Sequence, residues 1–114
     1  MTSCLFCDIA AGKRKADIIY GSDDVLAFRD ISPQAPHHIL VIPRKHIATL
    51  NDLQDHDTEL MGKLLLAAKH ITKEVGLSET GYRTVINCNR DAGQTVFHIH
   101  LHILGGRYLG WPPG

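Results

Sequence analysis

Three histidines alternate with aliphatic residues in the segment HIHLHIL, residues 98–104. An imidazole can serve as a nucleophile, as a general acid or base, or as a metal ligand. Successive side chains of a β-strand point to opposite faces, so His98, His100 and His102 should project together from one face. Residues two apart on a strand lie about 6.6–6.8 Å apart, so three rings in a line suit one tetrahedral ion poorly. The pattern therefore argues against a three-histidine metal site. It also argues against a sheet edge with chance histidines, because three rings at a period of two cost the strand packing area on that face.

The chain has three cysteines, of which Cys4 and Cys7 form a C-x-x-C pair and Cys88 stands alone. An odd number of cysteines without a secretory signal does not indicate a disulfide framework. C-x-x-C pairs occur in zinc sites and in redox sites, but a thioredoxin-like pair needs a βαβ context that the neighbouring sequence lacks. We therefore expect metal binding, with two reduced thiols as the alternative.

Length and charge narrow the class of protein. The 114 residues predict one domain, residues 1–114, and the 44% hydrophobic and 21% charged content is ordinary for a soluble globular protein. Twelve basic and twelve acidic residues give zero formal charge, which argues against nucleic acid or an anionic membrane as a partner. The longest apolar run, residues 64–68, is too short to span a bilayer. With no signal peptide expected, the predicted location is cytoplasmic.

Hydrophobic runs and turn residues predict the elements that must position these side chains. Residues 5–11 could form two helical turns that stop at Gly12. Lys13–Lys15 form a basic run that we expect to be a solvated loop. Short strands are predicted at 18–20, 25–28 and 39–42, with a hairpin turn at 21–24 and a break at 32–36.

One long helix is predicted from about Asp55 to Val75, with Gly76 ending it. Its apolar positions cover an arc of roughly 160°, wider than the stripe of about 100° that one sheet face requires. We interpret the extra width as a surface for another copy of the chain. Strands at 83–87 and 96–104 bring the total to five strands and two helices, grouped rather than alternating, which predicts an α+β fold with an antiparallel sheet.

Several motifs together carry a family resemblance over nearly the whole chain. Besides HIHLHIL they are FRDISPQAP (28–36) followed by His38, GYR (81–83), GQ (93–94), LGGR (104–107) and WPPG (111–114). The chain resembles the histidine triad superfamily, and within it the histidine triad nucleotide-binding branch of purine nucleoside phosphoramidases. The resemblance implies a five-stranded antiparallel sheet with one long and one short helix, dimerising into a continuous sheet.

The resemblance also implies roles for the histidines. His100 matches the nucleophile, which would attack the α-phosphorus of a nucleoside phosphoramidate and form a nucleotidyl-histidine that water hydrolyses. The backbone carbonyl that fixes the tautomer of this ring matches Gly93. His102 matches the residue that stabilises the phosphate oxygens. The implied catalytic set is His38, His98, His100 and His102.

A purine nucleotide is the implied ligand. Asp30 matches the carboxylate that accepts hydrogen bonds from the ribose hydroxyls. The other matching positions are Phe6, Ile9, Phe28 and Leu40 for the purine slot, Asn87, Gln94 and Thr95 for the phosphate side, and Trp111 near the leaving group in the partner subunit's site. The basic run at 13–15 stands where relatives often carry an Ile-Pro turn.

Members of the superfamily with an N-terminal C-x-x-C resemble one another in a zinc site. The matching ligands here are Cys4, Cys7, His46 and His98, and the predicted zinc is structural, with no metal required for the chemistry. In relatives without zinc, the residue matching His38 pairs with the first triad histidine. The role of His38 when zinc occupies His98 is left open.

The expected activity is hydrolysis of purine nucleoside 5′-phosphoramidates by a homodimer. A nucleotidyltransferase or dinucleoside polyphosphate hydrolase is the alternative within the same chemistry, and the residues after the triad count against it. A third hypothesis is a zinc-stabilised nucleotide-binding module whose main role is to bind a partner.

Overall fold

The computed structural model describes residues 3–114, which contain one five-stranded antiparallel sheet and two α-helices. The elements are α1 (Leu5–Ala10), β1 (Ile18–Gly21), β2 (Val25–Arg29), β3 (His37–Pro43), α2 (Thr58–Glu74), β4 (Tyr82–Val85) and β5 (Leu101–Gly105). The strand order is β1-β2-β3-β5-β4, and every neighbouring pair is antiparallel. The predicted α+β fold with one long and one short helix is confirmed.

The alternation of side chains along the strands divides the core between the two faces of the sheet. On one face, α2 packs its buried Leu64, Ala67, Ala68 and Ile71 against the sheet. The sheet residues on this face are Val25, Ala27, Ile39, Val41, Leu101 and Ile103. On the other face, Phe6 and Ile9 of α1 pack against Leu26, Phe28, Leu40 and Ile42. The short helix therefore covers the face on which the histidines project.

The long helix begins at Thr58 rather than at the predicted Asp55. Residues 55–57 form a 3₁₀ turn instead, because the Asp57 carboxylate accepts the Gln54 N–H at 2.9 Å. The predicted end is confirmed, since Gly76 has a left-handed φ of 81°, which glycine adopts without strain. Within the described part of the chain, no helix is both long and apolar enough to cross a membrane.

The last strand is shorter than predicted, since β5 begins at Leu101 rather than at Val96. Pro43, at the end of β3, has no N–H to extend the ladder. The N–H of Ile99 is donated instead to the Ile47 carbonyl at 2.7 Å, outside the sheet. Alternation still holds through this segment, because Ile99 joins the α2-side core while His98 and His100 contact Phe6 on the other side.

Candidate active site

A cleft of about 290 Å³ lies between α1 and the sheet face opposite α2. Its volume is close to the lower end of the range for small-molecule sites. The cleft brings together eight of the predicted site residues, namely Phe6, Ile9, Phe28, Asp30, Leu40, Thr95, His100 and His102. Apolar side chains form most of its wall and two imidazoles stand at one end. Such a lining can hold a flat apolar group and place a polar group against the histidines.

His100 is held in one tautomer. Its Nδ1–H donates to the His98 carbonyl at 2.8 Å, so Nε2 keeps its lone pair. The ring is 7% exposed, lines the cleft and meets Phe6 edge-on at 5.0 Å between centroids. An unprotonated imidazole nitrogen at a cleft wall can attack an electrophile.

The predicted acceptor for His100 is therefore wrong, since it is the carbonyl of His98 and not that of Gly93. Gly93 lies in a left-handed turn, φ 81°, after the 3₁₀ helix at 90–92, and its N–H is bonded to the Arg90 carbonyl. It does not line the cleft. The acceptor is instead two residues before the nucleophile in the same segment.

His38 and His102 form a chain of hydrogen bonds that fixes both tautomers. The backbone N–H of Gln34 donates to His38 Nδ1 at 3.0 Å, so the proton of a neutral His38 must reside on Nε2. His38 Nε2 lies 2.9 Å from His102 Nδ1, which then accepts. The remaining proton of His102 consequently sits on its own Nε2. The partner of His38 is thus the third histidine of the triad, which answers the question that the sequence left open.

His102 Nε2 is the free donor at the end of this chain. It is buried, and among residues 3–114 it has no hydrogen-bond partner. A buried donor without a partner costs about 1–3 kcal/mol, so its persistence indicates a ligand oxygen as its partner. The rings of His100 and His102 are 4.9 Å apart, so a single phosphate could meet the lone pair of one and the N–H of the other.

Asp30, His38 and His102 also bring three potential metal-ligating atoms within 4.8 Å of one another. The Asp30 carboxylate lies 3.5 Å from His38 Nε2. A metal on that nitrogen would require the ring proton to move to Nδ1, where the Gln34 N–H already points. The tautomer therefore favours a proton-bearing His38 beside the carboxylate over a metal site.

Burial keeps these rings neutral. It lowers the pKa of His38, of His98 and of His100 below the ordinary value. The hydrogen bonds of His98 and His100 to backbone carbonyls, and the charge of Asp30 near His38 and His100, offset this only in part. Burial, with smaller contributions from His100 and His38, lowers the pKa of His102 to about 4. At neutral pH the cleft therefore presents a neutral nucleophile and a neutral N–H donor.

Acidification is expected to destabilise the fold through His102. Its pKa is about 4 in the folded state, whereas the unfolded ring has the ordinary value of about 6.5. Between these values the unfolded chain binds more protons, so the free energy of unfolding falls as the pH drops from about 6.5 to about 4. The share of this ring is on the order of 3 kcal/mol. Urea unfolding at about pH 7.5 and about pH 4.5 measures the fall.

The control for this prediction is His102→Gln, because glutamine does not titrate. The other buried rings contribute in the same direction but are present in both proteins. The variant should therefore lose less stability than the wild type over the same pH interval. An equal loss in both proteins would contradict the role given to His102.

Beside the cleft, Cys4, Cys7, His46 and His98 bring four ligand atoms within 4.8 Å of one another. Cys4 Sγ is 3.4 Å from His98 Nδ1, and Cys7 Sγ is 3.3 Å from His46 Nδ1 and 3.5 Å from His98 Nδ1. The two histidine Nδ1 atoms are 3.3 Å apart. Tetrahedral zinc with bonds of about 2.3 Å to sulfur and about 2.0–2.1 Å to nitrogen requires ligand separations of roughly 3.3–3.8 Å. The donor set and its spacing fit zinc.

His98 belongs to this cluster and not to the cleft. Its Nε2–H donates to the Pro43 carbonyl at 2.7 Å, which leaves the Nδ1 lone pair facing the two cysteines. With both nitrogens engaged and the side chain fully buried, the ring does not line the cleft. Its predicted catalytic role therefore does not come from a side chain that lines the cleft, and it stays a prediction. His98 acts through its carbonyl, which holds His100.

Gln94 is not available as a phosphate contact. Its Oε1 accepts the Asn89 N–H at 2.9 Å, and its Nε2 donates to the carbonyls of Ala48 and Val96 at 2.8 and 3.1 Å. The backbone N–H is also bonded, to the Asn89 carbonyl. Gln94 was predicted to contact the phosphate, but its buried amide instead joins the 89–94 loop to the backbone of Ala48 and Val96.

Asn87 and Trp111 lie outside the cleft, in a separate groove along β4. Trp111 is 81% exposed there, and the Arg83 guanidinium lies 6.0 Å from its ring centroid. Arg83 also donates to the carbonyls of Leu109 and Gly110, at 3.4 and 2.9 Å. The Arg83 side chain thus holds the C-terminal segment beside β4, away from the cleft of its own chain.

Seven lining residues of the cleft were not predicted from the sequence, and two of them, Arg14 and Lys15, are basic residues of the loop after α1. Both are exposed, as expected of a solvated loop, yet they line the same cavity as His100. The available signal was their position directly after α1, which supplies Phe6 and Ile9 to the cleft.

Known proteins resemble this chain in both sequence and fold. Residues 11–109 match the HIT domain family. An uncharacterized HIT-like protein of Synechococcus elongatus is 53% identical over 110 residues, which is 96% of each chain. A HIT family hydrolase of Legionella pneumophila Philadelphia 1 is 55% identical, with a TM-score of 0.97 over 98% of this chain and 100% of that one.

Two further solved structures are similar at lower identity. A histidine triad nucleotide-binding protein of Candida albicans is 32% identical, with a TM-score of 0.83 over 96% of this chain and 83% of that one. A Zn-bound histidine triad family protein of Mycobacterium smegmatis is 37% identical, with a TM-score of 0.78 over 92% of this chain and 76% of that one. By its sequence match, its fold and its three alternating histidines, the chain belongs to the histidine triad (HIT) domain family.

Proposed function

We propose that this HIT-type hydrolase cleaves purine nucleoside 5′-phosphoramidates, including AMP joined to an amine such as lysine. The observation that carries the proposal is the pairing of a bare imidazole nitrogen, His100 Nε2, with a free buried N–H donor, His102 Nε2, at one end of an apolar cleft. The first can attack phosphorus, and the second can hold the oxygens on which charge grows.

The reaction would proceed in two displacements. His100 Nε2 attacks the α-phosphorus, the P–N bond breaks, and the amine leaves with the bonding electron pair and takes up a proton from solvent. The nucleotidyl-histidine is then attacked by water, which releases the nucleoside monophosphate and regenerates His100. The His98 carbonyl stabilises positive charge on the ring during attack, because it accepts the Nδ1–H at 2.8 Å.

The proposed nucleotide lies across the sheet face with its phosphate at the histidines. Phe6, Ile9, Phe28 and Leu40 supply apolar walls for the base. Asp30 offers a carboxylate to the ribose hydroxyls, although its Oδ1 already accepts the Ser32 N–H at 2.8 Å. Thr95 keeps a hydroxyl at the cleft wall for the phosphate side. Asn87 and Gly93 remain predictions for nucleotide contact.

Turnover of matched substrates separates this proposal from its alternatives. Release of a fluorescent amine from a purine nucleoside 5′-phosphoramidate should exceed cleavage of a dinucleoside polyphosphate or transfer of the nucleotide to a sugar phosphate. Preferred cleavage of the dinucleotide would support the second hypothesis. Binding of AMP or GMP at micromolar concentration with no turnover of any of these would support the nucleotide-binding module.

We also propose that Cys4, Cys7, His46 and His98 hold a structural zinc ion. The spacing of the four atoms supports this, as does the Zn-bound relative from Mycobacterium smegmatis. When bound, the ion would cross-link the start of α1 to the segment 98–104, which carries the three histidines. The hydrogen bond from His98 Nε2–H to Pro43 orients the ring for the metal, as outer partners of metal ligands commonly do.

A homodimer is proposed from two unpartnered features. Leu65 and Leu66 on α2 are 58% and 57% exposed, and β4 is a free edge of the sheet. Pairing of β4 with its copy would extend the sheet and cover that edge, and would bring Trp111 towards the site of the partner. Sedimentation at micromolar concentration should give twice the 12.6 kDa chain mass.

The double variant Leu65→Asp/Leu66→Asp should shift this dimer towards the monomer, because both charges would be desolvated at the interface. A wild-type species of 12.6 kDa at the same concentration would contradict the proposed dimer.

A further inference from the structure

Two basic side chains line the cleft at the loop between α1 and β1. Arg14 and Lys15 are both exposed and both border the cavity, whereas Lys13 lines a different groove beside Asp8 and His46. Among the ion pairs of residues 3–114, none involves Arg14 or Lys15. The cleft therefore carries donors that are free to meet a ligand.

The register of the sheet shows which end of the cleft these donors occupy. Ile18, Phe28, Leu40 and His102 stand side by side on β1, β2, β3 and β5. Neighbouring strands are about 4.8 Å apart, so β1 lies roughly 14 Å from β5. The loop that carries Arg14 and Lys15 leads into β1 and so lies at the end remote from His102. A nucleotide with its phosphate at His102 would point its base towards this end, over Leu40 and Phe28.

The chemistry of the cleft limits what these cations could recognise. A second phosphate on the ribose would meet the Asp30 carboxylate, which lines the same cavity. Among residues 3–114 the only basic side chain within 4.0 Å of this carboxylate is His38, which burial keeps neutral, and Arg29 of the same cleft is paired with Asp17 instead. A group on the base itself would lie over the apolar walls and next to the loop, whereas Asp30 is left to the ribose hydroxyls. The donors are therefore placed for hydrogen-bond acceptors on the far edge of a purine.

Guanine and adenine differ on this edge. Guanine presents two acceptors, O6 and N7, whereas adenine replaces O6 with an amino donor. Arginine and lysine carry only donors, and an arginine fork matches O6 and N7 together. An adenine amino group would face these two donors, neither of which can accept its hydrogen bond.

We propose that Arg14 and Lys15 select 6-oxopurine nucleotides, guanine and hypoxanthine, over adenine nucleotides in this cleft. The inference rests on the proposed function, in that it requires the nucleotide phosphate at His100 and His102. It assigns a specificity role to a loop that the sequence presents only as a solvated basic run.

Binding of GMP, IMP and AMP to the full chain tests this separately from turnover. The three ligands share the same phosphate, so general electrostatic attraction cancels in their ratios. Isothermal titration should show GMP and IMP binding about 5- to 20-fold more tightly than AMP. This ratio lies in the lower part of the range for contacts between side chains and base edges, because Arg14 and Lys15 are both exposed. IMP lacks the 2-amino group, so its affinity isolates the contribution of O6.

Variants locate the preference in the two residues. Arg14→Ala/Lys15→Ala should bring the GMP to AMP affinity ratio to within about twofold of one, while Lys13→Ala, a basic residue of the same run outside the cleft, should keep the wild-type ratio. A wild-type ratio within twofold of one, a preference for AMP, or a ratio that survives the double variant would overturn the inference. A 6-oxopurine preference without turnover of any phosphoramidate would sustain it and refute the proposed activity alone.

Discussion

Replacing His100 with alanine is expected to lower kcat/KM for a purine nucleoside phosphoramidate by at least about 10³-fold, the scale seen when a nucleophile is removed. The expected loss corresponds to about 4 kcal/mol of transition-state stabilisation. The reason is that His100 Nε2 is the unprotonated nitrogen fixed at the cleft wall, with its other nitrogen committed to the His98 carbonyl. Steady-state release of a fluorescent amine measures the change.

Binding and a matched control separate a chemical defect from an unfolded protein. His100→Ala should still bind AMP or GMP, because the apolar walls and Asp30 are untouched. His70→Ala removes an exposed imidazole from α2 and should leave the rate unchanged. His102→Gln should lose about 10²- to 10³-fold in kcat, as expected for one oxyanion donor. Wild-type rates in His100→Ala, with nucleotide bound, would exclude His100 as the nucleophile.

Removing the predicted zinc is expected to lower the free energy of unfolding by about 4 kcal/mol, the value for free zinc at 1,000 times its dissociation constant. The ion would join Cys4 and Cys7 at the start of α1 to His46 and His98, and nothing in the cluster is a covalent cross-link. Without a metal, burial first and the neighbouring Cys4 thiol second raise the pKa of Cys7 to about 11, so its thiolate requires a cation. Chemical unfolding with and without a mild chelator measures the difference.

Cysteine variants and metal content provide the controls. Cys7→Ser should reproduce the loss caused by chelation, whereas Cys88→Ser, which removes a cysteine outside the cluster, should not. Because α1 also carries Phe6 and Ile9, chelation should weaken nucleotide binding more than it slows the first turnovers of protein already loaded with substrate. A measured content of well under one zinc per chain, in protein purified without a His-tag or chelator, would contradict the proposed zinc site. So would an immediate loss of rate with the fold intact.

Alternation along a strand made the main features of the site predictable from sequence. The period of two in HIHLHIL separates imidazoles from aliphatic residues whether or not the segment is in the sheet, because alternation is a property of the backbone. The hydrogen-bonded pairing of β5 with β3, in contrast, depends on the neighbouring strand and not on this segment alone. It ends where Pro43 lacks an N–H, so the predicted start of the last strand was wrong by five residues.

Hydrogen-bond partners were the least predictable part of the site. Resemblance matched the acceptor of His100 to Gly93, but a carbonyl is available at every position, and the backbone path places the one from His98 at 2.8 Å. The partner of His38 depends on which strands are neighbours, since β3 and β5 set His38 and His102 within 2.9 Å. Gln94 shows the converse, because its polarity suggested a ligand contact while its burial commits it to the loop.

Detection of a covalent nucleotide on His100 tests the central claim most directly. Wild-type protein is mixed with a purine nucleoside phosphoramidate, denatured within milliseconds at alkaline pH, digested and examined by mass spectrometry. The account predicts a burst of amine close to one equivalent per active chain, with the nucleotidyl mass on His100 in the peptide that spans the triad. The same peptide from His100→Ala should carry no adduct. Amine release in steady state without an adduct, or an adduct on another residue, would contradict the assignment of His100 as the nucleophile.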